Sequence, residues 1–271
     1  MKVTVLMSVY NGEKYLAKSI ESILNQTFID FEFMIIDDAS TDNSFNIMKE
    51  YLLLDNRINL FRNKENLGLT ASLNFGLQHA KGQYIARMDA DDIAREDLLE
   101  KEVEFLDNHP EYTFVSCIAD YIDEDGNIEK PRLFPETNED IYATMPKVNA
   151  MMHPGVLFRK DDIEKIHNYD ERFRVCQDYD LWFRGMAAGY KFYNIQEPLL
   201  QFRRNRTYNS RKDLSYRLTD FKVRLNGYKI NHLGIKNYIY LGVPIALAII
   251  PDKVIDKLFY LLKGFDPRNK Q

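Results

Sequence analysis

Residues 84–92 read Tyr-Ile-Ala-Arg-Met-Asp-Ala-Asp-Asp, a mostly apolar strand that ends directly in three carboxylates. Alternate side chains of an extended segment lie on the same side, so Asp89 and Asp91 can converge on one point. Two carboxylates repel each other there unless a cation lies between them, and such an oxygen site suits Mg²⁺ or Mn²⁺. The alternative is helix capping, but a cap needs only one Asp. The stretch therefore predicts a buried strand with a divalent metal site at its carboxyl end.

Three further strands precede this one, and helical patterns separate all four. The predicted strands are Val3–Val9, Phe31–Ile36, Ile58–Phe61 and Tyr84–Met88. The predicted helices are Glu13–Gln26, one from Ser40 or Asp42 to about Leu53, Leu69–Ala80, and Arg95–Asn108. This order predicts an α/β fold with a mostly parallel sheet and helices on both faces. In such sheets ligands bind beyond the carboxyl ends of the strands.

The second half of the chain is less regular. A strand is predicted for residues 112–121, a hairpin turn for 123–127, and loops for most of 131–155, which contains four prolines. The remaining predicted elements are a helix at Asp178–Ala188, a strand at Pro198–Phe202 and a helix from Asp213 to about Ile230. We therefore expect one domain over residues 1–205, with halves of about 1–110 and 111–205, followed by a helical tail over 206–271.

Composition and charge narrow the class of protein. The 271 residues are 45% hydrophobic and 28% charged, which is typical of a globular chain and excludes general disorder. The net charge of −5 hides an asymmetry, because residues 201–271 contain 15 Lys and Arg against five Asp. Cys117 and Cys176 are too few for a disulfide framework, which indicates a reducing compartment. The first residues lack the features of a signal peptide, so we expect a cytoplasmic protein.

The basic tail contains an apolar and an amphipathic segment. Tyr238–Pro251 is apolar, but its 14 residues are fewer than the ~20 that span a bilayer. Asp252–Phe265 places apolar residues against Lys253, Lys257 and Lys263. Together they predict peripheral contact with an anionic membrane surface, the inner face of the cytoplasmic membrane. The alternative is a helix that packs on the body or in a homodimer interface.

Five motifs occur in an order that resembles glycosyltransferase family 2, whose members have the GT-A fold. They are SVYNG at 8–12, SILNQTF at 22–28, DDASTD at 37–42, NLGL at 66–69 and DADD at 89–92. Each motif alone is weak, but the ordered set at these spacings is specific. The resemblance covers about residues 1–200, and it implies an inverting, metal-dependent transferase with a UDP-sugar donor.

The resemblance places the donor across the carboxyl edge of the sheet, in the first half. Asp38 would contact the uracil, and Asn66 and Gly68 belong to a loop that closes over the donor. Asp91 would ligate Mn²⁺ or Mg²⁺ on the diphosphate, with Asp89 facing the ribose or the metal. The implied donor-binding residues are Ser8, Val9, Tyr10, Asn11, Glu13, Asp37, Asp38, Asn66, Gly68, Asp89, Ala90 and Asp91.

The second half is implied to hold the acceptor. Residues 175–184 resemble the family's E-D-Y-D-L-W-x-R segment, whose second residue is the general base. That residue is Asp178 here, and Gln177 departs from the usual Glu. His153, Gln177 and Trp182 are the implied acceptor contacts, whereas Asp180 is expected to be structural. Two alternatives stay open, since a lone His is more often structural and an Asp also favours a helix N-terminus.

Arg203 and Arg204 follow a predicted strand. In related enzymes a basic loop at this place closes over the diphosphate, and Arg binds phosphate in a bidentate manner. The two arginines are therefore expected to bind the donor, with a solvated charge run as the alternative.

The expected activity is transfer of a sugar to a saccharide, often linked to polyprenyl diphosphate, in synthesis of capsule, O-antigen or exopolysaccharide. A sugar nucleotidyltransferase is the first alternative, but it needs a Gly-rich, basic loop after the first strand. Residues 8–12 contain one Gly and no Arg. A basic-tailed nucleic-acid binder is the second alternative. The acidic body would repel phosphate and no base-reading motif is present, so no nucleic-acid partner is expected.

Overall fold

The computed structural model describes residues 1–204, 213–243 and 245. Within them, nine strands form one sheet with helices on both faces. The strands are β1 Val3–Val9, β2 Phe31–Asp37, β3 Ile58–Arg62, β4 Tyr84–Met88, β5 Ile93–Ala94, β6 Tyr112–Ile122, β7 Ile128–Arg132, β8 Val156–Arg159 and β9 Lys191–Arg203. The helices are α1 Leu16–Leu24, α2 Ser44–Leu54, α3 Leu69–His79, α4 Leu98–Asn108, α5 Asn138–Thr144, α6 Lys160–Lys165, α7 Gln177–Ala187, α8 Leu214–Ile230 and a 3₁₀-helix at Ile235–Leu241.

The side chains of β1 alternate between the two faces of the sheet and contribute to a hydrophobic core on each face. Val3, Val5 and Met7 pack with residues of α1, α2 and α4 on one face. Leu6 points to the other face and packs with α3, α7 and α8. Because both faces are buried, the strand VTVLMSV is mostly apolar, as in parallel sheets covered by helices. A site for a ligand is therefore left at the ends of the strands.

The strand order is β3-β2-β1-β4-β8-β6-β9-β5, with β7 paired to β6. The pairs among β3, β2, β1 and β4 are parallel, which confirms the first-half prediction. The second half adds antiparallel pairs of β8 with β4 and β6, so the sheet is mixed. The chain changes direction across the sheet at β1, which has β2 on one side and β4 on the other. The loops after these three strands meet at one edge.

The second half contains elements that the sequence pattern did not predict. The stretch 131–155 is not all loop, because it holds the end of β7 and α5, and β8 and α6 follow it directly. The two-residue β5 pairs with β9 and delays the start of α4 from the predicted Arg95 to Leu98. Strand β9 begins at Lys191, well before the predicted Pro198. The hairpin of β6 and β7 and the helix α8 agree with prediction.

Helix α8 lies within the predicted tail and packs tightly on α7. A Cβ at Gly227 would lie 2.3 Å from the ring of Phe183, so only Gly allows this approach. Asp220 and Arg224 form a buried ion pair of 2.7 Å at the same interface. The boundary at residue 205 stays a prediction, and the predicted amphipathic segment Asp252–Phe265 lies outside the described residues.

Glu102 of α4 is an unusual member of the core. Its side chain is fully buried, and within the described ranges neither carboxylate oxygen has a hydrogen-bond partner. Burial raises the pKa of Glu102 well above its ordinary value. Burial of a polar group without a partner costs about 1–3 kcal/mol. Glu102 therefore lowers the free energy of unfolding.

We expect Glu102→Met to raise the melting temperature, and to raise it more at pH 8 than at pH 5. Folding raises the pKa of Glu102, so above about pH 4.5 the unfolded state releases a proton that the folded state keeps. The parent therefore loses stability as the pH rises, and Met has no proton to lose. Thermal unfolding at both pH values measures the difference. The exposed Glu104→Met is the control, and an equal shift in both variants contradicts the prediction.

Candidate functional site

Three carboxylates gather where β4 ends. Asp89, Asp91 and Asp92 each place an oxygen within 4.8 Å of the other two. Burial and the charge of Asp89 raise the pKa of Asp91 to about 6. Burial and the charges of Asp91 and Asp89 raise the pKa of Asp92 well above its ordinary value. The group, which we call the carboxylate cluster, therefore carries more negative charge than its surroundings offset.

Two buried arginines border the carboxylate cluster. Arg87 of β4 forms an ion pair with Asp89, and Coulomb attraction to Asp89 contributes to the raised pKa of Arg87 against its burial. Arg203 of β9 donates its backbone N–H to Asp92 Oδ1 at 2.8 Å and its Nε to the carbonyl of Asp91 at 2.9 Å. The cluster thus has two cations beside three carboxylates, which leaves a formal charge of −1.

The donor set fits a divalent cation. It consists of carboxylate oxygens, Asp89 and Asp91 are half-exposed, and Asp92 Oδ2 is buried without a hydrogen-bond partner within the described ranges. Oxygen ligands with open positions suit Mg²⁺ or Mn²⁺, which retain places for phosphate oxygens. Asp92 was not among the predicted site residues, although the DADD stretch already contained it. The ligand roles of Asp89 and Asp91 stay predictions.

The loops after β1 and β2 hold each other through reciprocal hydrogen bonds. Asn11 N–H donates to Ser40 Oγ at 3.1 Å, and Thr41 N–H donates to Asn11 Oδ1 at 2.8 Å. Asn43 N–H donates to Glu13 Oε2 at 2.8 Å. Asn11 has a φ of 52°, in the left-handed region that Asn tolerates. Asn11 and Glu13 are both predicted to border the nucleotide. They lie in a loop that these hydrogen bonds join to the loop after β2.

The two acids at the end of β2 have different partners. Asp37 is fully buried and forms an ion pair with Arg62 at 2.9 Å. Asp38 accepts the backbone N–H groups of Leu67 and Gly68 at 2.9 and 2.8 Å. Asp38 therefore fixes the loop before α3, in which Gly68 has a φ of 89°. Its predicted contact with uracil stays a prediction.

The other predicted donor-binding residues lie at the same edge of the sheet. Ser8 and Val9 end β1, and the exposed Tyr10 follows them. Asn66 is exposed in the loop that Asp38 fixes. A Cβ at Gly12 would lie 3.6 Å from Cβ of Ala90, so the loop after β1 lies beside the loop that carries the carboxylate cluster. The structure thus brings the residues named from the first half together.

Arg203 and Arg204 both have partners within the protein, and their predicted phosphate contacts stay predictions. Arg203 is 4% exposed, and its guanidinium donates to the carbonyls of Asp91, at 2.9 Å, and Asp123, at 2.7 Å. Arg204 forms an ion pair with Glu129 at 2.9 Å. Through its backbone N–H and its Nε, Arg203 also holds the carboxylate cluster in position. Its distant partners could not be identified from a local run of arginines.

Asp178 lies in the first turn of α7, as predicted, and is held by a residue that the sequence did not single out. Asn149 Nδ2 donates to Asp178 Oδ2 at 2.8 Å. Tyr169 is buried, and burial together with the charges of Asp178 and Asp89 raises the pKa of its phenol. Asp178 and Asp89 therefore both lie close enough to Tyr169 for their charges to act on its phenol.

The three predicted acceptor contacts are buried. His153 Nε2 is hydrogen-bonded to Tyr169 Oη at 2.8 Å, and burial and Arg87 lower the pKa of His153 well below its ordinary value. Gln177 is buried at the start of α7. Trp182 is fully buried with its ring 5.1 Å from that of Phe114. Trp182 thus packs in the hydrophobic core, and the acceptor roles of these three residues stay predictions.

Comparison with known proteins identifies the family. Residues 4–167 match the family described as Glycosyl transferase family 2. The chain belongs to this family and is a glycosyltransferase. The predicted family is therefore confirmed.

Relatives match over most of the chain. EpsE of Bacillus subtilis (strain 168) is 36% identical over 259 residues, which cover 94% of this chain and 92% of EpsE. The O-antigen biosynthesis glycosyltransferase WbnJ of Escherichia coli is 34% identical over 219 residues, 79% of this chain and 84% of WbnJ. The UDP-Gal:alpha-D-GlcNAc-diphosphoundecaprenol beta-1,3-galactosyltransferase of Escherichia coli is 26% identical over 251 residues, 88% of this chain and 87% of that enzyme.

Solved structures share the architecture. Staphylococcus aureus TarS 1-349 in complex with UDP-GlcNAc superposes with a TM-score of 0.65 at 18% identity, covering 99% of this chain and 89% of TarS. The mannosyltransferase PcManGT from Pyrobaculum calidifontis, in complex with GDP-Man and Mn²⁺, gives 0.65 at 18% identity, with coverage of 98% and 82%. At these identities the likeness establishes the fold, and it confirms the predicted GT-A fold.

We expect Asp91→Asn to abolish the Mn²⁺-dependent part of UDP binding, because the substitution removes one charge from the carboxylate cluster and one metal ligand. Thermal shift with UDP, with and without Mn²⁺, measures this, since a bound ligand raises the apparent stability. Asp30→Asn, an exposed residue at the opposite edge of the sheet, is the control. A Mn²⁺-dependent shift in Asp91→Asn equal to that of the parent would contradict the metal assignment.

Proposed function

We propose that this glycosyltransferase moves a sugar from a UDP-sugar to a saccharide acceptor in the synthesis of a surface polysaccharide. The observation that carries the proposal is the carboxylate cluster, whose oxygens lie within 4.8 Å of one another at the carboxyl edge of the parallel strands. TarS in complex with UDP-GlcNAc supports the nucleotide, and PcManGT with GDP-Man and Mn²⁺ supports the metal. The relative WbnJ, named for O-antigen biosynthesis, supports the process.

Asp91 and Asp89 would hold the Mn²⁺ or Mg²⁺, and a divalent ion there supplies positive charge to the diphosphate of the leaving nucleotide. The protein's own residues do the rest of the donor binding. Arg87 orients Asp89 through their ion pair, and Arg203 fixes the backbone at Asp91. Asp38 holds the loop before α3 in place against the nucleotide. The donor is thereby bound between loops that are ordered in advance.

Asp178 is proposed as the general base of an inverting transfer. It removes the proton from the acceptor hydroxyl as that oxygen attacks the sugar from the side opposite the nucleotide. Its Oδ2 already accepts the Asn149 N–H, so Oδ1 is the oxygen that takes the proton. A positioned base contributes roughly 10²–10⁴-fold to the rate.

The proposed acceptor is a saccharide linked to polyprenyl diphosphate at the cytoplasmic face of the membrane. A relative whose name specifies a diphosphoundecaprenol acceptor supports this class. Among the described residues no helix is long and apolar enough to cross a membrane. The 3₁₀-helix exposes Ile235 and Ile239, by 82% and 76%, beside Lys236, as a membrane-surface element does. The proposed division is a domain at 1–205 and a membrane-facing tail at 206–271.

A screen of nucleotide-sugars tests the proposal. The purified protein is incubated with Mn²⁺ and UDP-galactose, UDP-glucose, UDP-N-acetylglucosamine or GDP-mannose, and release of the nucleotide is measured with and without a polyprenyl-diphosphate-linked sugar. We expect one UDP-sugar to be turned over faster when the acceptor is present. Turnover of GDP-mannose alone would overturn the choice of nucleotide, and pyrophosphorolysis of the donors would favour a nucleotidyltransferase.

We expect Asp178→Asn to lower the rate of transfer by about 10²-fold or more while leaving the affinity for UDP and Mn²⁺ unchanged. The amide keeps the shape of the side chain but cannot accept the proton. Turnover and UDP binding are measured on the same preparation, with the exposed Asp161→Asn as the control. Transfer within a few-fold of the parent's would remove Asp178 as the base.

We expect the double variant Ile235→Ser/Ile239→Ser to bind less to vesicles of phosphatidylcholine and phosphatidylglycerol, because it removes exposed apolar area beside basic residues. Co-sedimentation measures binding, and added salt should weaken it further. Leu53→Ser/Leu54→Ser is the matched control, since these two residues of α2 are 86% and 79% exposed away from the tail. Equal binding of both variants would argue against the membrane-facing surface.

A further inference from the structure

The loop that precedes β8 reaches the proposed base through one side chain. Asn149 is half-buried, and its Nδ2 donates to Asp178 Oδ2 at 2.8 Å. Its Oδ1 accepts the backbone N–H of Met151 at 3.3 Å, which orients the amide so that its donor faces the carboxylate. Both the NH₂ group and the oxygen of the Asn149 amide are therefore hydrogen-bonded. The rotamer of Asp178 consequently depends on the position of this loop.

Helix α8 holds the same loop from the other side. Arg224 Nη1 donates to the carbonyl of Lys147 at 2.8 Å and to that of Pro146 at 3.2 Å. The hydroxyl of Tyr228 also donates to the Pro146 carbonyl. These carbonyls lie two and three residues before Asn149, so α8 fixes the backbone that carries the amide.

Arg224 is itself held rigidly. Its Nε donates to Asp220 Oδ1 at 2.7 Å, and its guanidinium lies 5.1 Å from the ring centroid of Tyr179 on α7. Both members of the ion pair are buried. A planar guanidinium fixed at several points transmits position better than a flexible chain.

We propose that Asn149 is a positioning residue for Asp178, and that α8 acts on the base through Arg224 and the loop at 146–149. The inference rests on the proposed role of Asp178 as general base. The Asn149 amide holds Oδ2 so that Oδ1 points to the acceptor hydroxyl, and a carboxylate misplaced by about 1 Å can lower the rate by up to about 10²-fold. Helix α8, which lies within the proposed tail, thereby acts on the acceptor half.

Two substitutions at Asn149 separate positioning from loop structure. Asn149→Ala removes both hydrogen bonds, and we expect it to lower kcat about tenfold without changing the affinity for UDP and Mn²⁺. Asn149→Asp keeps the acceptor for Met151 N–H but turns a second carboxylate toward Asp178, and we expect a larger loss of kcat. The assay is turnover of the fastest donor among UDP-galactose, UDP-glucose and UDP-N-acetylglucosamine. If Asn149→Asp is as active as the parent, the amide only anchors the loop and the proposal is wrong.

Arg224→Lys tests the link from α8. Lys keeps a charge beside Asp220, but its single nitrogen cannot reproduce both the Nε bond to Asp220 and the Nη1 bonds to the two carbonyls. We expect a kcat reduced several-fold, with UDP binding and the melting temperature close to those of the parent. If Arg224 acts through Asn149, the double variant Asn149→Ala/Arg224→Lys should lose no more kcat than Asn149→Ala alone. Losses that multiply would overturn the link.

Tyr228→Phe keeps the inference testable if Arg224→Lys fails to fold. Phe preserves the ring that packs on Phe183 and removes only the hydroxyl that holds Pro146. The same comparison with Asn149→Ala then applies. Failure of the proposed function is distinguishable, because in that case Asp178→Asn itself retains transfer. If Asp178→Asn is inactive while the Asn149 variants match the parent, Asp178 is supported as the base and the positioning role of Asn149 is wrong.

Discussion

The repulsion among Asp89, Asp91 and Asp92 is the constraint around which the site is organised. Their oxygens lie within 4.8 Å, and two of the three carboxyl groups have raised pKa values. Arg87 and Arg203 offset this charge only in part, which leaves a formal −1. A divalent ion would reverse the sign locally to +1, so the same cluster that repels a free diphosphate would attract one in the presence of metal.

The need to hold these acids in place also explains the second half of the sheet. Arg203 is the last residue of β9, and its guanidinium links the carbonyl of Asp91 to that of Asp123 at the tip of the β6–β7 hairpin. The strand, the hairpin and the loop after β4 are therefore joined at one side chain. A short antiparallel β5 between Asp92 and α4 adds a second link to β9. The acceptor half is thus attached to the donor half beside the carboxylate cluster.

The first half could be predicted from the sequence because its signals are local. A strand buried on both faces is mostly apolar, and the predicted bounds of β1 and β4 are the observed ones. Strands β8 and β5 have four and two residues, which are too few to show a hydrophobic pattern. They form strands because they pair with strands that are distant in the sequence. Burial of Arg203 likewise depends on carbonyls more than 70 residues away, so a basic run could not reveal it.

Arg203 and Arg224 show one solution to the same physical problem. A reactive carboxylate must be fixed in position and yet keep its charge for a metal or a proton. The ion pair with Arg87 holds Asp89 directly, whereas a guanidinium bonded to neighbouring carbonyls holds the backbone that carries the carboxylate. Arg203 does this at Asp91, and Arg224 does it at the loop that carries Asn149. Because five fixed donors allow one cation to hold several carbonyls, Arg serves here where Lys could not.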